Sequence, residues 1–285
     1  MNAAGIFRNA EGQEEIMRLY TQALDHWPVP CATHEVATRQ GATFVIESGP
    51  ASGPVLVLVH GACSNALSWM GDVARYAGRF RVLAVDVPGE AGRSAPRRPS
   101  HQGPAFADWL GDVLEGLGVI SVSLLGISKG GFISLKFATA YPERVEKLVL
   151  LTPAGIAPVR PSFLLRAIPL SLLGGWGRAR INKVTFGRDE VDPGAVVFMD
   201  VIMRNFRPEV AKPYLFTDEE LRRLTMPVLL AVGMDDALLD APKMVARTRA
   251  VLPAAHIREL PGRGHVLVGM ADMIAPFLEG AAAAA

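Results

Sequence analysis

Ser128 lies in Gly126-Ile127-Ser128-Lys129-Gly130-Gly131, after an apolar, β-branched run over 119–125 and before a segment, 132–141, whose apolar residues recur at helical spacing. That order predicts a strand, a sharp turn and a helix. The turn needs its glycines, because a side chain at Gly126 or Gly130 would collide with neighbouring strand or helix backbone. The serine hydroxyl would then stand at the carboxyl edge of a strand and the amino end of a helix, where unpaired N–H groups and the helix dipole stabilise developing negative charge.

A hydroxyl is a poor nucleophile at neutral pH and needs a base within hydrogen-bond reach, commonly a histidine held in one tautomer by a carboxylate. The sequence offers both. His265 follows Gly262-Arg263-Gly264 after a strand ending at Leu260, and Asp235 and Asp236 follow the apolar strand ending at Val232-Gly233. Residues at the carboxyl ends of parallel strands face one edge of the sheet, so Ser128, the aspartate pair and His265 can converge. Asp236 is the favoured acid, and Asp235 reads as a turn cap.

The chemistry also needs donors for an oxyanion. One is expected from the backbone N–H of Lys129, the other from the loop after the 55–59 strand, with Ala62 first and Cys63 second, since a small residue at 62 leaves a carbonyl room to approach. Cys63 as a second nucleophile has only His60 near it in sequence. His60 reads as structural, holding the following loop by side-chain hydrogen bonds. His26, His34, His101 and His256 lack the position of His265.

The elements that must position these groups alternate. Strands are expected at 43–47, 55–59, 81–85, about 120–126, 145–151, 228–232 and 256–260, and helices at 11–27, 66–77, 106–117, 132–141, 242–252 and 266–278. Continuous apolar strands such as 55–59 belong to sheets covered on both faces, and the alternation is that of a mostly parallel sheet flanked by helices. Between 155 and 225 the alternation fails. Prolines and glycines break a helical pattern there into short pieces, which reads as a helical lid over the carboxyl edge of the sheet. The organisation is then an N-terminal arm over 1–42, a first core part over 43–154, the lid over 155–225 and a second core part over 226–285.

With 285 residues, half of them hydrophobic, the chain can bury a large core. A formal charge of +1 and the lack of any basic tract give no electrostatic case for nucleic acid. The two cysteines, Cys31 and Cys63, have no metal-like spacing, so neither a metal nor another cofactor is expected, and a reducing, cytoplasmic setting is the default. The first eight residues lead into a polar acidic segment rather than an apolar signal core, and no apolar run reaches the roughly 18 residues of a membrane span. No integral membrane association is expected, and a homodimer is left open. Gly280 and the alanines after it read as a frayed helix end.

Taken together, His60-Gly61-Ala62, Asp86-x-Pro88-Gly89-x-x-Gly92-x-Ser94, Gly126-x-Ser128-x-Gly130-Gly131, Tyr141-Pro142-Glu143-Arg144-Val145, Gly233-x-x-Asp236 and Gly264-His265 resemble the α/β-hydrolase superfamily over nearly all of 43–278. The chain order serine, aspartate, histidine is the one associated with that fold. The arm ending in Trp27-Pro28-Val29-Pro30 and the short lid resemble small bacterial carboxylesterases. The resemblance implies Ser128, Asp236 and His265 as a triad and the Ala62 and Lys129 amides as an oxyanion hole, and the serine argues against dehalogenases of this fold, which carry an aspartate there.

Lys129 departs from the family pattern. A cation in the first turn of a helix opposes the dipole, so its ammonium is expected either to favour a substrate carboxylate or to lower the pKa of His265, or else to reach water while its stem packs on the lid. The lid has its own pattern. From Lys147 to Arg188 there is no Asp or Glu, while Arg160, Arg166, Arg178, Arg180, Lys183 and Arg188 alternate with Phe163, Leu164, Leu165, Ile168, Leu170, Leu172, Leu173 and Trp176. This predicts an apolar face on a cleft with solvated cations outside, or contact with an anionic lipid surface or acidic acyl group.

The reading is a serine hydrolase acting on small carboxylic esters with short to medium apolar groups. Thioester, lactone or carbon–carbon bond hydrolysis and perhydrolysis on the same residues stay open, as does a non-catalytic protein of this fold that binds a small ligand.

Overall fold

The computed structural model describes residues 5–171, 173–187, 191–209 and 214–280. The alanine tail, Leu172, Arg188 and the side chains of Leu164, Arg166, Ile168 and Arg178 lie outside the described residues and side chains.

Among the described residues eight strands form one sheet: β1 (Cys31–Thr38), β2 (Gly41–Ser48), β3 (Val55–Val59), β4 (Arg81–Val85), β5 (Val122–Ile127), β6 (Val145–Leu151), β7 (Val228–Gly233) and β8 (His256–Leu260). Their spatial order is β1-β2-β4-β3-β5-β6-β7-β8. β2 runs antiparallel to both neighbours, and every other pairing is parallel.

Strand alternation divides the core into two layers. Val57 and Val59, Leu83 and Val85, Leu148 and Leu150, and Leu230 and Val232 point to one face, where they meet α3 (Ala105–Gly116), α4 (Lys129–Ala140) and α9 (Ala241–Val251). Leu56 and Leu58, Val82 and Ala84, Val149 and Leu151, and Leu229 and Ala231 point to the other, under α2 (Val73–Ala77) and α10 (Ala271–Glu279). Both faces of the central strands are buried, which is why they read as unbroken apolar runs.

The sheet begins earlier than the sequence predicted. β1 pairs along its whole length with β2, so the stretch up to residue 42 holds an edge strand besides helix α1 (Ala10–Leu24). Only Val36 of β1 is buried, and an edge strand with one covered residue carries no apolar run to be recognised. Two expected helices are also shorter. The 66–77 stretch is a single 3-10 turn, Ala66–Trp69, followed by α2, and the last helix starts at Ala271 rather than 266.

Between β6 and β7 lie α5 (Pro161–Ser171), α6 (Gly174–Phe186), α7 (Pro193–Asn205) and the short α8 (Asp218–Leu221). α1 and the residues just before it pack on α7 and Phe206 in one apolar cluster of Ile6, Phe7, Ile16, Val201, Ile202 and Phe206. Leu165, Leu173 and Trp176 of the α5–α6 region are exposed. No helix among the described residues is long and apolar enough to cross a membrane.

Candidate active site

β5 ends at Ile127 and α4 begins at Lys129, so Ser128 alone makes the turn, with φ 52° and ψ −113°. A non-glycine residue held at positive φ costs about 1–3 kcal/mol and persists only where its surroundings impose it. Here they do. The Ser128 amide donates to Leu151 O at 2.9 Å, and its carbonyl accepts Phe132 N and Ala154 N, each at 3.0 Å. A Cβ on Gly126 would come within 2.4 Å of Gly130 O, and one on Gly130 within 2.0 Å of Val59 O, the collisions that the motif is spaced to avoid.

His265 Nε2 lies 2.8 Å from Ser128 Oγ, and His265 Nδ1 lies 2.8 Å from Asp236 Oδ2. Asp236 and His265 are buried, at 1% and 3% exposure. The other oxygen of Asp236 accepts the amides of Leu238 at 2.7 Å and Leu239 at 2.9 Å, which aims the carboxylate at the imidazole. Asp235 is exposed and stands apart from this chain of contacts. The structure therefore brings together the three side chains singled out in the sequence, and chooses Asp236 over its neighbour.

The loop after β3 approaches the same turn. A Cβ on Gly61 would be 3.6 Å from Ser128 Cβ. His60 is fully buried, and burial pushes its pKa down to about 4, with the nearby Lys129 charge acting in the same direction against the Gly61 hydrogen bond. The neutral ring has one tautomer open to it. Val87 N–H donates to Nε2 at 2.9 Å, so Nδ1 carries the proton and donates to Gly61 O at 2.8 Å. The Gly61–Ala62 peptide is trans, so fixing its carbonyl fixes the Ala62 N–H in the opposite direction. His60 thus holds the loop, as its sequence position suggested. The second-choice donor, the Cys63 amide, is already committed to Glu90 Oε2 at 2.8 Å. The Cys63 thiol is pushed up to about 12, chiefly by burial and then by Glu90, which removes it as a competing nucleophile.

Lys129 corrects the sequence reading. Its ammonium neither reaches water nor stands free for a substrate carboxylate. The residue is 7% exposed, and Nζ donates to Glu90 Oε1 and to Glu209 Oε2, each at 2.6 Å. Burial alone would lower the Lys129 pKa; the two carboxylates outweigh it and raise it above the ordinary lysine value. Glu209 also meets His101 Nε2 at 3.1 Å. Against its own burial, the His101 contact and the Lys129 charge bring Glu209 down to about 2. Sequence reasoning missed Glu90, Glu209 and His101. The available signal was the lysine itself, since a cation at that helix end needs anions, and the 86–94 loop motif holds two acids, Asp86 and Glu90.

A sheet of this order, with a serine on a strained strand-to-helix turn and an aspartate and a histidine after its last two strands, has the architecture of the α/β hydrolases. A family model described as the α/β hydrolase fold matches residues 54–213, and the chain belongs to that family. It is 32% identical over 257 residues to the uncharacterized carboxylesterase nap of Bacillus subtilis, covering 87% of this chain and 85% of that protein. It is 30% identical over 270 residues to carboxylesterase YbfK of the same organism, covering 92% and 90%. The crystal structure of a naproxen esterase from Bacillus subtilis superposes with a TM-score of 0.85 at 27% identity, over 95% of this chain and 99% of that one. The expected resemblance to small bacterial carboxylesterases is borne out.

Proposed function

We propose that this protein hydrolyses carboxylic esters through an acyl-enzyme formed on Ser128. Ser128 Oγ attacks the acyl carbonyl while His265 Nε2 takes its proton; the tetrahedral intermediate collapses as the imidazolium returns that proton to the departing alcohol. Water, activated by the same imidazole, then releases the acid. Asp236 orients the ring and stabilises the imidazolium. The amides of Lys129 and Ala62 receive the oxyanion, the first as one of the leading N–H groups of α4 that have no partner within the helix, the second directed by the His60–Gly61 bond.

The observation that carries this reading is the unbroken series Ser128 Oγ, His265, Asp236, with 2.8 Å at each step. The carboxylesterase relatives support esters as the substrate class. The segment from α5 to α8 serves as the lid, and its leucine, phenylalanine and tryptophan content suits a short to medium apolar acyl or alcohol group.

The test is turnover of p-nitrophenyl acetate and p-nitrophenyl butyrate by the purified protein, with Ser128→Ala as control. Turnover that disappears in the control is the expected result. An inactive wild type that is nonetheless stabilised by small ligands, or a control that keeps its rate, would refute the reading and favour a binding protein or another centre.

A further inference from the structure

Beside the Ser128 turn is a buried carboxylate that the ester chemistry itself does not use. Glu90 is 2% exposed and divides its two oxygens between different partners, Oε1 to the Lys129 ammonium at 2.6 Å and Oε2 to the Cys63 amide at 2.8 Å. Burying a carboxylate and an ammonium carries a desolvation cost, and apolar side chains of the same size often serve stability as well or better. The return on that cost lies in what the carboxylate holds. Cys63 sits at φ 53°, a conformation that its surroundings must impose. The Cys63 N–H belongs to the peptide plane leaving Ala62, while the His60–Gly61 bond fixes the plane entering it. Each peptide flanking Ala62 is therefore pinned by one buried side chain.

We infer that Glu90 is a positioning residue for the oxyanion site, holding the Cys63 amide so that the Ala62 N–H keeps its aim, with Lys129 as the cation that anchors this carboxylate. The inference rests on the ester-hydrolase reading above. Lys129 then serves both sides of the site: its main-chain N–H is one donor, and its side chain steadies the loop that presents the other. Glu209 completes the arrangement by sharing the ammonium.

The test uses four variants. In Glu90→Gln the ammonium, the stronger donor, claims the single amide oxygen, and the Cys63 N–H is left facing an NH2 group. Lys129 keeps Glu209 as its partner, so the variant should fold. The kcat and kcat/KM for p-nitrophenyl butyrate should fall together, about 10- to 100-fold, less than the loss of an oxyanion donor outright. Affinity for a benzyl trifluoromethyl ketone, which forms a tetrahedral adduct with the serine, should weaken by a similar factor.

Two further variants, Glu90→Gln with Lys129→Met and Glu90→Ala with Lys129→Met, carry the same charge and differ in the acceptor offered to Cys63. The first should recover much of the lost rate and ketone affinity, since its glutamine oxygen is free for the amide. The second should not. Equal rates and affinities for these two, at matched thermal stability, or a Glu90→Gln enzyme within twofold of wild type, would overturn the inference. The fourth variant, Ser128→Ala, separates the two levels: a wild type without Ser128-dependent turnover would overturn the ester reading and this one with it, whereas Ser128-dependent turnover that ignores Glu90 would overturn this one alone.

Discussion

The carbonyl of Thr185, in the last turn of α6, accepts the amide of His265 at 2.8 Å and that of Val266 at 3.1 Å. From the opposite side the Thr152 hydroxyl donates to the His265 carbonyl at 2.6 Å. The main chain of His265 is thus bonded in both directions, to the helical segment between β6 and β7 and to the residue just after β6. A bridge between Gly187 and Arg263 extends the first contact. The imidazole that the proposed mechanism uses is therefore held by α6 as well as by the sheet.

Gly264 is where that contact can be tested. A Cβ there would lie 2.6 Å from Thr185 O and 2.8 Å from Gly187 N, both backbone atoms that cannot swing away as a side chain can. Gly264→Ala should push the end of α6 from the His265 turn. Misplacing a reacting group by about 1 Å can cost on the order of 100-fold, so kcat for p-nitrophenyl butyrate should fall at least tenfold while the far strands keep their amide-exchange protection. An alanine variant with wild-type kcat would show that the turn positions His265 without α6.

Asp236 and Asp235 are neighbours in sequence with opposite prospects. Asp236 is 1% exposed and bonded to His265 Nδ1, whereas Asp235 is exposed. Asp236→Asn should favour the wrong imidazole tautomer and cost about three to four orders of magnitude in kcat. Asp235→Asn should stay within about twofold. Comparable losses in the two variants would mean that the carboxylate contact seen here is not the one used in turnover.

Most of the sheet is readable because its central strands are covered on both faces: β3, β4 and β6 fall where their apolar runs put them, and the glycines around Ser128 announce the turn. What could not be read was whatever depends on a partner far along the chain. β1 is an edge strand whose one buried residue, Val36, leaves no pattern. Glu90 looks like any loop acid until Lys129 is folded against it 39 residues later. A helix starting at 266 is too early: residues 266–270 form an apolar run, yet Gly269 adopts φ 64° and the chain there carries His265 to Ser128.

The pairing of Lys129 bears on specificity. Glu90 and Glu209 together outnumber its one positive charge, so no net positive field remains from this group to attract an anionic ester. Hydrolysis of p-nitrophenyl hemisuccinate should show a kcat/KM no higher than that of p-nitrophenyl butyrate, at both low and high salt. A preference of tenfold or more for the anionic ester, abolished by salt, would mean that the ammonium leaves its carboxylates when substrate arrives.

His60 ties stability to pH with a definite sign. Its folded-state pKa is about 4 against an ordinary 6.5, because burial disfavours the charged ring. The unfolded chain therefore binds a proton at this residue below about pH 6.5 that the folded protein refuses until near pH 4, and stability drains away on acidification across that window. Asp86, raised to about 6 by burial, acts in the opposite direction, but it is common to wild type and a His60→Gln variant and drops out of their difference. The variant should be less stable at pH 7, having lost the bonds to Gly61 and Val87, and the gap in urea unfolding free energy should shrink by about 2 kcal/mol between pH 7 and pH 5. A gap that holds constant would mean that His60 takes up its proton inside the folded protein as readily as outside it, and that the tautomer aiming the Ala62 amide is not fixed.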